Sequence, residues 1–558
     1  MKKILYTALL LLVPTFTWAQ VSKHVEVTKD YKPTVNQAQK LSIIPDMTDT
    51  VTMRPDIDYT ITPRSYETAL MTENFKPATI TYWDYHRARP LYVRAAAGVP
   101  LQSQADVYLS TFNKDKGYAM VYANHLGDYR SRYNFEGVKV KKNTMEMSNR
   151  FGGRAGAFVG ARMVEFDIVG DMQERHRYPS TGELVDFGRG TAKLRFGDDF
   201  TDLRRWNFNI EVAGGMFIDD DRVNDDNMNQ YDLSAKFALG KMLGKNVLRI
   251  HAEYDGVFGA KGLELYKNNT FMAGARYGIS SERFDFLMGA DYYYDNVSES
   301  TNSPHRIFPF LRMTWKSATE GFVPFVEVDG GIKRNDYASL VYTNPFLADD
   351  GYLLSQMANE SQYNGRIGIS GVLGRGVFSY NLSAELSFAN DHAYWYTDAM
   401  ANYYYTQAYQ HTLRIDGGLM LRPAGWFEAE FNAGVFVWEN YDKYYSNRPN
   451  FDSSLSLRYL GRKFTAGVTA AYRGGIKWMT LQPAEFDETL YDSDENVMKF
   501  GYVKTDATFT LGVEAEYRIN DRWRVYAEGR NLTGSTIYEW LNYYRNTAEG
   551  ILGVKMSF

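Results

Sequence analysis

Eight histidines and no cysteine stand in the 558-residue sequence. Without cysteine there are no disulfides, thiolate metal sites or catalytic thiols. No histidine has a second histidine or a carboxylate at a metal-ligand spacing, and no Ser/His/Asp constellation is legible along the chain. No catalytic residue, metal site or cofactor is therefore expected, and the chain is not read as an enzyme. His251, between Arg249 and Glu253 at alternate positions, reads as a solvated or paired channel residue. The acidic run from Asp219 to Asn227 offers oxygens of the kind a calcium ion takes, but lacks the spacing of a calcium loop and reads as a solvated external loop. Aromatic clusters are denser than turns require: Tyr394, Trp395 and Tyr396; Tyr403, Tyr404 and Tyr405; Tyr441, Tyr444 and Tyr445; and Tyr538, Trp540, Tyr543 and Tyr544. Tyr and Trp supply rigid contact area with a polar tip, so the mid-loop members suit recognition of a ligand or partner. Those nearest strand ends suit an interfacial girdle.

The elements that position these residues are strands. From Asp506 to Ile519, fourteen positions alternate without error: Ala507, Phe509, Leu511, Val513, Ala515, Tyr517 and Ile519 lie on one face, and Glu514, Glu516 and Arg518 lie among the polar residues of the other. Leu248 to Asp255 repeats the pattern, with Arg249, His251 and Glu253 on the polar face. Charge on the second face of strand after strand predicts a face that meets water, as a barrel lumen does, and not a second packed sheet. Glu428 and Glu430, Arg524, Glu528 and Arg530 extend that face; such charges select a solute, cross-link neighbouring strands or hold the arm inside the lumen. The last residues, Gly550 to Phe558, place Leu552, Val554, Met556 and Phe558 on one face, predicted to meet lipid, and Lys555 on the other.

Counting such segments gives about 22 strands. Their centres fall near residues 95, 108, 121, 156, 168, 191, 211, 235, 252, 275, 289, 311, 326, 369, 382, 416, 432, 457, 468, 512, 526 and 554. Short turns such as Gly244-Lys245, Gly374-Arg375-Gly376 and Gly461-Arg462 alternate with long loops near 128–143, 333–362, 390–408 and 474–503. That alternation is what outer-membrane barrels show between their periplasmic and external ends. The connection near 100–104 is short where a long loop is expected.

Composition agrees with an all-β transmembrane barrel. Aromatic residues make up 15% of the chain, and there are 46 Gly but only 16 Pro. Mean hydropathy is -0.42, which argues strongly against a bundle of membrane helices but not against a barrel, whose strands are polar on alternate residues. Residues 1–19 read as a cleaved signal segment: Lys2 and Lys3, an apolar core from Ile4 to Val13, then Thr17-Trp18-Ala19. Residues 20–89, with five prolines and no glycine, read as an extended arm, and residues 90–558 as the barrel. The formal net charge of -5 gives no reason to expect nucleic acid as a partner.

The stretch Val525-Tyr526-Ala527-Glu528-Gly529-Arg530-Asn531-Leu532-Thr533, then Tyr538-Glu539-Trp540-Leu541 and the terminal strand, resembles the closing hairpin of TonB-dependent transporters. That resemblance implies a 22-stranded barrel in the bacterial outer membrane. It also implies that the strand bearing Leu552, Val554, Met556 and Phe558 serves as a signal to the barrel-insertion machinery. The signal segment and Tyr-rich loops are similar to exported proteins of Bacteroidota-type bacteria. The front end departs from the family: residues 20–89 are too short for its plug domain. Val25-Glu26-Val27-Thr28 only faintly resembles the box gripped by an energy-coupling protein. The expected function is solute passage across the outer membrane or service as the barrel subunit of a complex. The alternative is a scaffold that holds other outer-membrane proteins or surface lipoproteins without transport.

Overall fold

The computed structural model describes residues 89–111, 116–133, 138–140, 145–177, 179, 184–219, 227–297, 304–316, 321–348, 357–439, 444, 447–481 and 501–558. The expected signal segment, almost all of the arm with its Val25-Glu26-Val27-Thr28 box, most of the acidic run after Asp219, Tyr441 and Tyr445 lie outside the described residues.

Twenty-two antiparallel strands close into a barrel, from Leu91–Val99 to Glu549–Ser557. In lipid every backbone N–H and C=O must find a partner within the sheet, so the first strand has to pair with the last. Tyr92 stands opposite Ser557 and Val99 opposite Gly550. The seam ends in a reciprocal pair, Leu91 N to Phe558 O at 3.1 Å and Phe558 N to Leu91 O at 2.9 Å. Arg89 reinforces it from outside the strand by donating to the Ser557 carbonyl at 2.8 Å.

All the expected strand centres fall inside observed strands. Neighbours in sequence pair with one another except where small hairpins intervene. Phe464–Arg473 pairs with Thr508–Arg518 across a hairpin of Lys477–Thr480 and Gly501–Lys504. Trp523–Arg530 pairs with Glu549–Ser557 across Ile537–Trp540 and Tyr543–Arg545. The first hairpin turns on Pro100 and Leu101 alone.

Two expectations about the loops need correction. Residues 390–408 are not a loop: the strands Phe378–Thr397 and Tyr403–Ala424 run through most of that stretch, and only residues 398–402 join them. Membrane strands need about 9–11 residues to cross, so strands of 20 and 22 residues stand well clear of the lipid. Residues 333–362 contain a helix, α1 (Tyr337–Thr343), whose N-cap Asp336 and third residue Ser339 form a reciprocal capping box.

Alternation sorts the side chains. On neighbouring strands Leu455, Leu457, Val468 and Val513 are exposed on the outer wall, while Ser456 and Thr469, one residue away, bond to each other inside at 3.0 Å. Exposed aromatics gather outside at the ends bearing the short turns. There Trp523 meets Phe558 edge-on at 6.1 Å and Trp426 lies 6.1 Å from Tyr459. A lysine on the outer wall would sit in hydrocarbon. Val468→Lys should therefore lower folding stability in lipid vesicles by roughly 2 to 4 kcal/mol. Thr469→Lys, facing the lumen, should stay within about 0.5 kcal/mol of wild type. Denaturant titration of both variants measures this, and equal losses would refute the assignment of faces.

Candidate functional site: a charged lumen beneath an aromatic lid

The inner wall is a ladder of ion pairs between facing positions of adjacent strands. Arg276 and His251 both reach Asp291, the latter at 2.9 Å; Arg312 Nε meets Glu327 at 2.7 Å, Arg366 Nε meets Glu385 at 2.7 Å, and Arg422 Nε meets Glu428 at 2.8 Å. Cross-strand register brings these together: Arg312 lies directly opposite Glu327 and Arg366 opposite Glu385, while Gly274 stands between His251 and Asp291 and leaves room for them to meet. Arg249, His251 and Glu253 share a cavity of about 310 Å³ with Glu211, Lys236 and Arg276. Lys236 and Glu253 form an ion pair within it. Glu516 receives Lys555 Nζ at 2.5 Å and Arg524 at 3.2 Å; Arg458 approaches Glu514 at 3.4 Å, and Arg518 bonds to Asp521 at 2.6 Å. A second cavity, of about 440 Å³, lies among Arg366, Asn381, Glu385, Arg414, Asp416 and Asp452. Both signs of charge line each cavity, so the wall suits a polar solute without favouring cations or anions outright.

The external mouth is covered from inside by the segment carrying α1. Tyr337, Leu340 and Val341 recur at helical spacing and are buried with Phe217 and Val257 of the wall and with Leu263 of the turn at residues 262–266. Phe187 meets Tyr342 edge-on at 5.3 Å. Hydrogen bonds pin the helix to inward-facing side chains. Tyr337 donates to Asp219 at 2.6 Å, Tyr342 to Asp171 at 3.0 Å, and the Ala338 N–H to Gln230 at 3.0 Å. A cluster of amides holds the segment's two ends together. Asn268 donates to Asn359 Oδ1 at 2.7 Å, Asn359 donates to Asp295 at 2.6 Å, and the Asn335 N–H donates to Asn359 at 3.0 Å. Burial raises the pKa of the Tyr266 and Tyr342 hydroxyls, and the negative charges of Asp336 and Asp171 add to it. Both therefore stay protonated donors at neutral pH, Tyr266 to the Asn335 carbonyl at 2.8 Å.

From α1 the chain crosses to the tall strands. Phe346 stacks on Tyr543 with ring centroids 3.4 Å apart, and the Ala348 N–H donates to the Tyr403 carbonyl at 2.6 Å. Trp540 packs on Trp395 at 5.5 Å and Tyr403 at 5.1 Å, and Tyr403 donates to the Leu541 carbonyl at 2.8 Å. The aromatic residues singled out in the sequence thus meet one another. Tyr394, Trp395, Tyr396 and Tyr403 are buried, Tyr404 and Tyr405 half-buried, and Tyr444 stacks on Tyr394 at 5.1 Å. Tyr538 lies 6.5 Å from Trp478 beside the same cluster. Trp395, Tyr403, Tyr405, Trp540 and Tyr543 belong to the core of a lid, while Tyr394, Tyr396, Tyr404 and Tyr444 pack in a second cluster around Met479; in this state the buried members present no open binding surface.

Among solved structures the chain is similar to the FrpB iron transporter from Neisseria meningitidis, F3-3 variant. Identity is 12%, the match covers 85% of this chain and 82% of that one, and the TM-score is 0.64. It is likewise similar to the ferripyoverdine receptor of the outer membrane of Pseudomonas aeruginosa, at 11% identity over 85% and 72% of the chains with TM-score 0.62. A third neighbour is the copper transporter OprC, at 13% identity over 85% and 81% with TM-score 0.63. No family model and no curated protein matches the sequence. The fold is that of TonB-dependent receptor barrels. A closed barrel of this build, with apolar residues on its outer wall, belongs in the bacterial outer membrane.

Sequence reasoning missed α1 and the three asparagines that tether it. The capping pair Asp336 and Ser339, followed by Leu340 and Val341, was the available signal, in a stretch otherwise resembling a loop. Because Phe346 is fully buried in the lid, Phe346→Ala should weaken the lid by about 3 kcal/mol. Amide exchange across residues 337–347 should then rise roughly a hundredfold, with the wall strands unchanged. Exchange that rises equally throughout the barrel would show that lid and wall are one cooperative unit.

Proposed function

We propose that the protein passes a polar solute across the outer membrane through its lumen, with the lid as the external gate. The lid carries this reading. A barrel of this width leaks unless it is filled or covered, and here a helix and an aromatic cluster cover the mouth using side-chain contacts instead of ladder hydrogen bonds. Contacts of that kind can be exchanged for contacts with a solute while the wall stays intact. The charge-paired cavities beneath would hold the solute, with Arg249, His251 and Glu253 in one and Glu514, Glu516 and Arg518 near the far rim. The names of the similar structures, an iron transporter and a copper transporter, support transport as the activity.

Within this reading, residues 20–89 act as an inner barrier or as an arm for periplasmic partners. Val25-Glu26-Val27-Thr28 engages an energy-coupling protein, and the strand ending in Phe558 is handed to the insertion machinery. The signal segment and Tyr-rich loops support a Bacteroidota source. A scaffold without transport is less well supported, because the loop aromatics that would hold a lipoprotein are turned toward one another.

Replacing residues 335–358 with a short Gly-Ser linker should make cells sensitive to vancomycin, which an intact outer membrane excludes. The comparison is made with residues 20–88 present and absent, so that an inner barrier cannot mask the result. Exclusion equal to wild type in both backgrounds would remove the lid as a gate.

A further inference from the structure

The external end of the outer wall carries a group of polar residues that solute passage does not use. Ser103 Oγ lies 2.8 Å from His125 Nε2, and His125 Nδ1 lies 2.7 Å from Asn149 Oδ1. The three are 22 and 24 residues apart in sequence and come from the second, third and fourth strands. Register aligns them: Ala105 stands opposite His125, and His125 opposite Asn149. They share the face of Val107, Val121 and Phe151, all exposed on the outer wall. Asp106 and Asn124, at the intervening positions, bond to each other in the lumen at 2.7 Å. The group therefore faces lipid.

Its hydrogen bonds have a direction. An amide oxygen only accepts, so Asn149 Oδ1 takes the Nδ1 proton and fixes the tautomer in which Nε2 is bare. Nε2 then accepts the Ser103 hydroxyl. That is the nucleophile, base and orienting group of a serine hydrolase, which is recognised by geometry and not by sequence order. The Tyr129 hydroxyl lies 3.1 Å from Ser103 Oγ, a donor beside the carbon that Oγ would attack. At Gly127 an added Cβ would come within 2.7 Å of Ser103 Oγ, so glycine keeps the nucleophile accessible.

A recess of about 610 Å³ begins one strand further on. Met172 stands opposite Asn149, and from there Phe151, Ile168, Gly170, Gly188 and Gly190 line an apolar trough in the outer wall. Its volume suits a lipid chain.

We infer that Ser103, His125 and Asn149 are a catalytic triad that hydrolyses a long-chain fatty-acyl ester of an outer-leaflet lipid. Ser103 Oγ attacks the ester carbonyl while its proton moves to His125 Nε2. The bond from the carbonyl carbon to the lipid's alcohol oxygen breaks, and that oxygen takes the proton from His125. Water, deprotonated by the same imidazole, then attacks the acyl-serine; the bond from the acyl carbon to Ser103 Oγ breaks, Oγ takes the proton from His125 Nε2, and the fatty acid is released. One water is consumed per ester, and nothing is oxidised or reduced.

The test uses the purified full-length barrel in mixed micelles, with a diacyl glycerophospholipid in one arm and lipopolysaccharide in the other, and a long-chain alkylsulfonyl fluoride as an active-site label. Fatty-acid release from at least one lipid is expected, together with labelling at Ser103 and not at Ser110. Ser103→Ala and His125→Ala should lower release on the order of 10³-fold, while Asn149→Asp should retain more activity than Asn149→Ala. Heat-modifiable mobility on gels reports that each variant remains a folded barrel. If the folded wild type releases no fatty acid from either lipid, or Ser103→Ala releases it as fast as wild type, the inference is overturned. Lack of labelling at Ser103 in the folded wild type would overturn it equally.

Discussion

The structure depends on one constraint: within the bilayer no backbone hydrogen bond can be left to water. An open sheet of 22 strands would expose two unpaired edges to hydrocarbon, so Leu91–Val99 must find Glu549–Ser557 across almost the whole length of the chain. The pairing runs as far as Phe558, whose N–H and C=O both bond to Leu91. Phe558 is both a hydrogen-bonded rung of the seam and an outer-wall aromatic packed on Trp523. Arg89, just before the first strand, caps the same seam.

Closure fixes the parity of every strand, and parity fixes the chemistry of each face. Lys555 and Val554 are covalent neighbours, yet one is ion-paired to Glu516 in the lumen and the other lies on the lipid side of the seam. Inside, charges can be kept where an opposite charge stands on a neighbouring strand, as Arg312 and Glu327 or Lys236 and Glu253 do, in an enclosed but wet space where such pairs are stable. Outside, a polar residue is tolerated only where it can satisfy its neighbours. Ser103, His125, Asn149 and Tyr129 do this at the external end of the wall, next to the trough left by Gly170, Gly188 and Gly190.

What was legible in the sequence follows the same division. Strand existence, number and facing depend on a local period of two, which fourteen consecutive residues from Asp506 can display unaided. The lid depends on contacts that no local period encodes. Tyr337 meets Asp219 from 118 residues away, and Tyr403 meets Leu541 from 138. Its helix, at seven residues, is too short to show a convincing 3.6-residue period. Tyr394 to Tyr396 and Tyr403 to Tyr405 were visible as aromatic clusters, but ring density alone does not say whether rings meet a ligand, lipid or one another. The outward Ser, His and Asn were invisible for a related reason: each is unremarkable on its own strand, and only the register between strands brings them within hydrogen-bonding distance.

Lid and wall also differ in how their contacts respond to change. Each wall strand is fixed by a continuous ladder, so displacing one would strand a row of N–H and C=O groups in lipid, each unmet group costing several kcal/mol. The lid's polar anchors, Asp171, Asp219, Gln230 and Asp295, face the lumen, and water can replace α1 and Asn359 as their partner. A net hydrogen bond exchanged with water is worth only about 1 kcal/mol. Most of the lid's stability must then come from its buried rings, chiefly Phe346, Tyr403, Tyr543 and Trp395. Stacked rings are the contacts that another flat or apolar surface can replace most readily. The barrel thus joins a wall that cannot open without leaving the membrane to a mouth whose closure a suitable solute could undo.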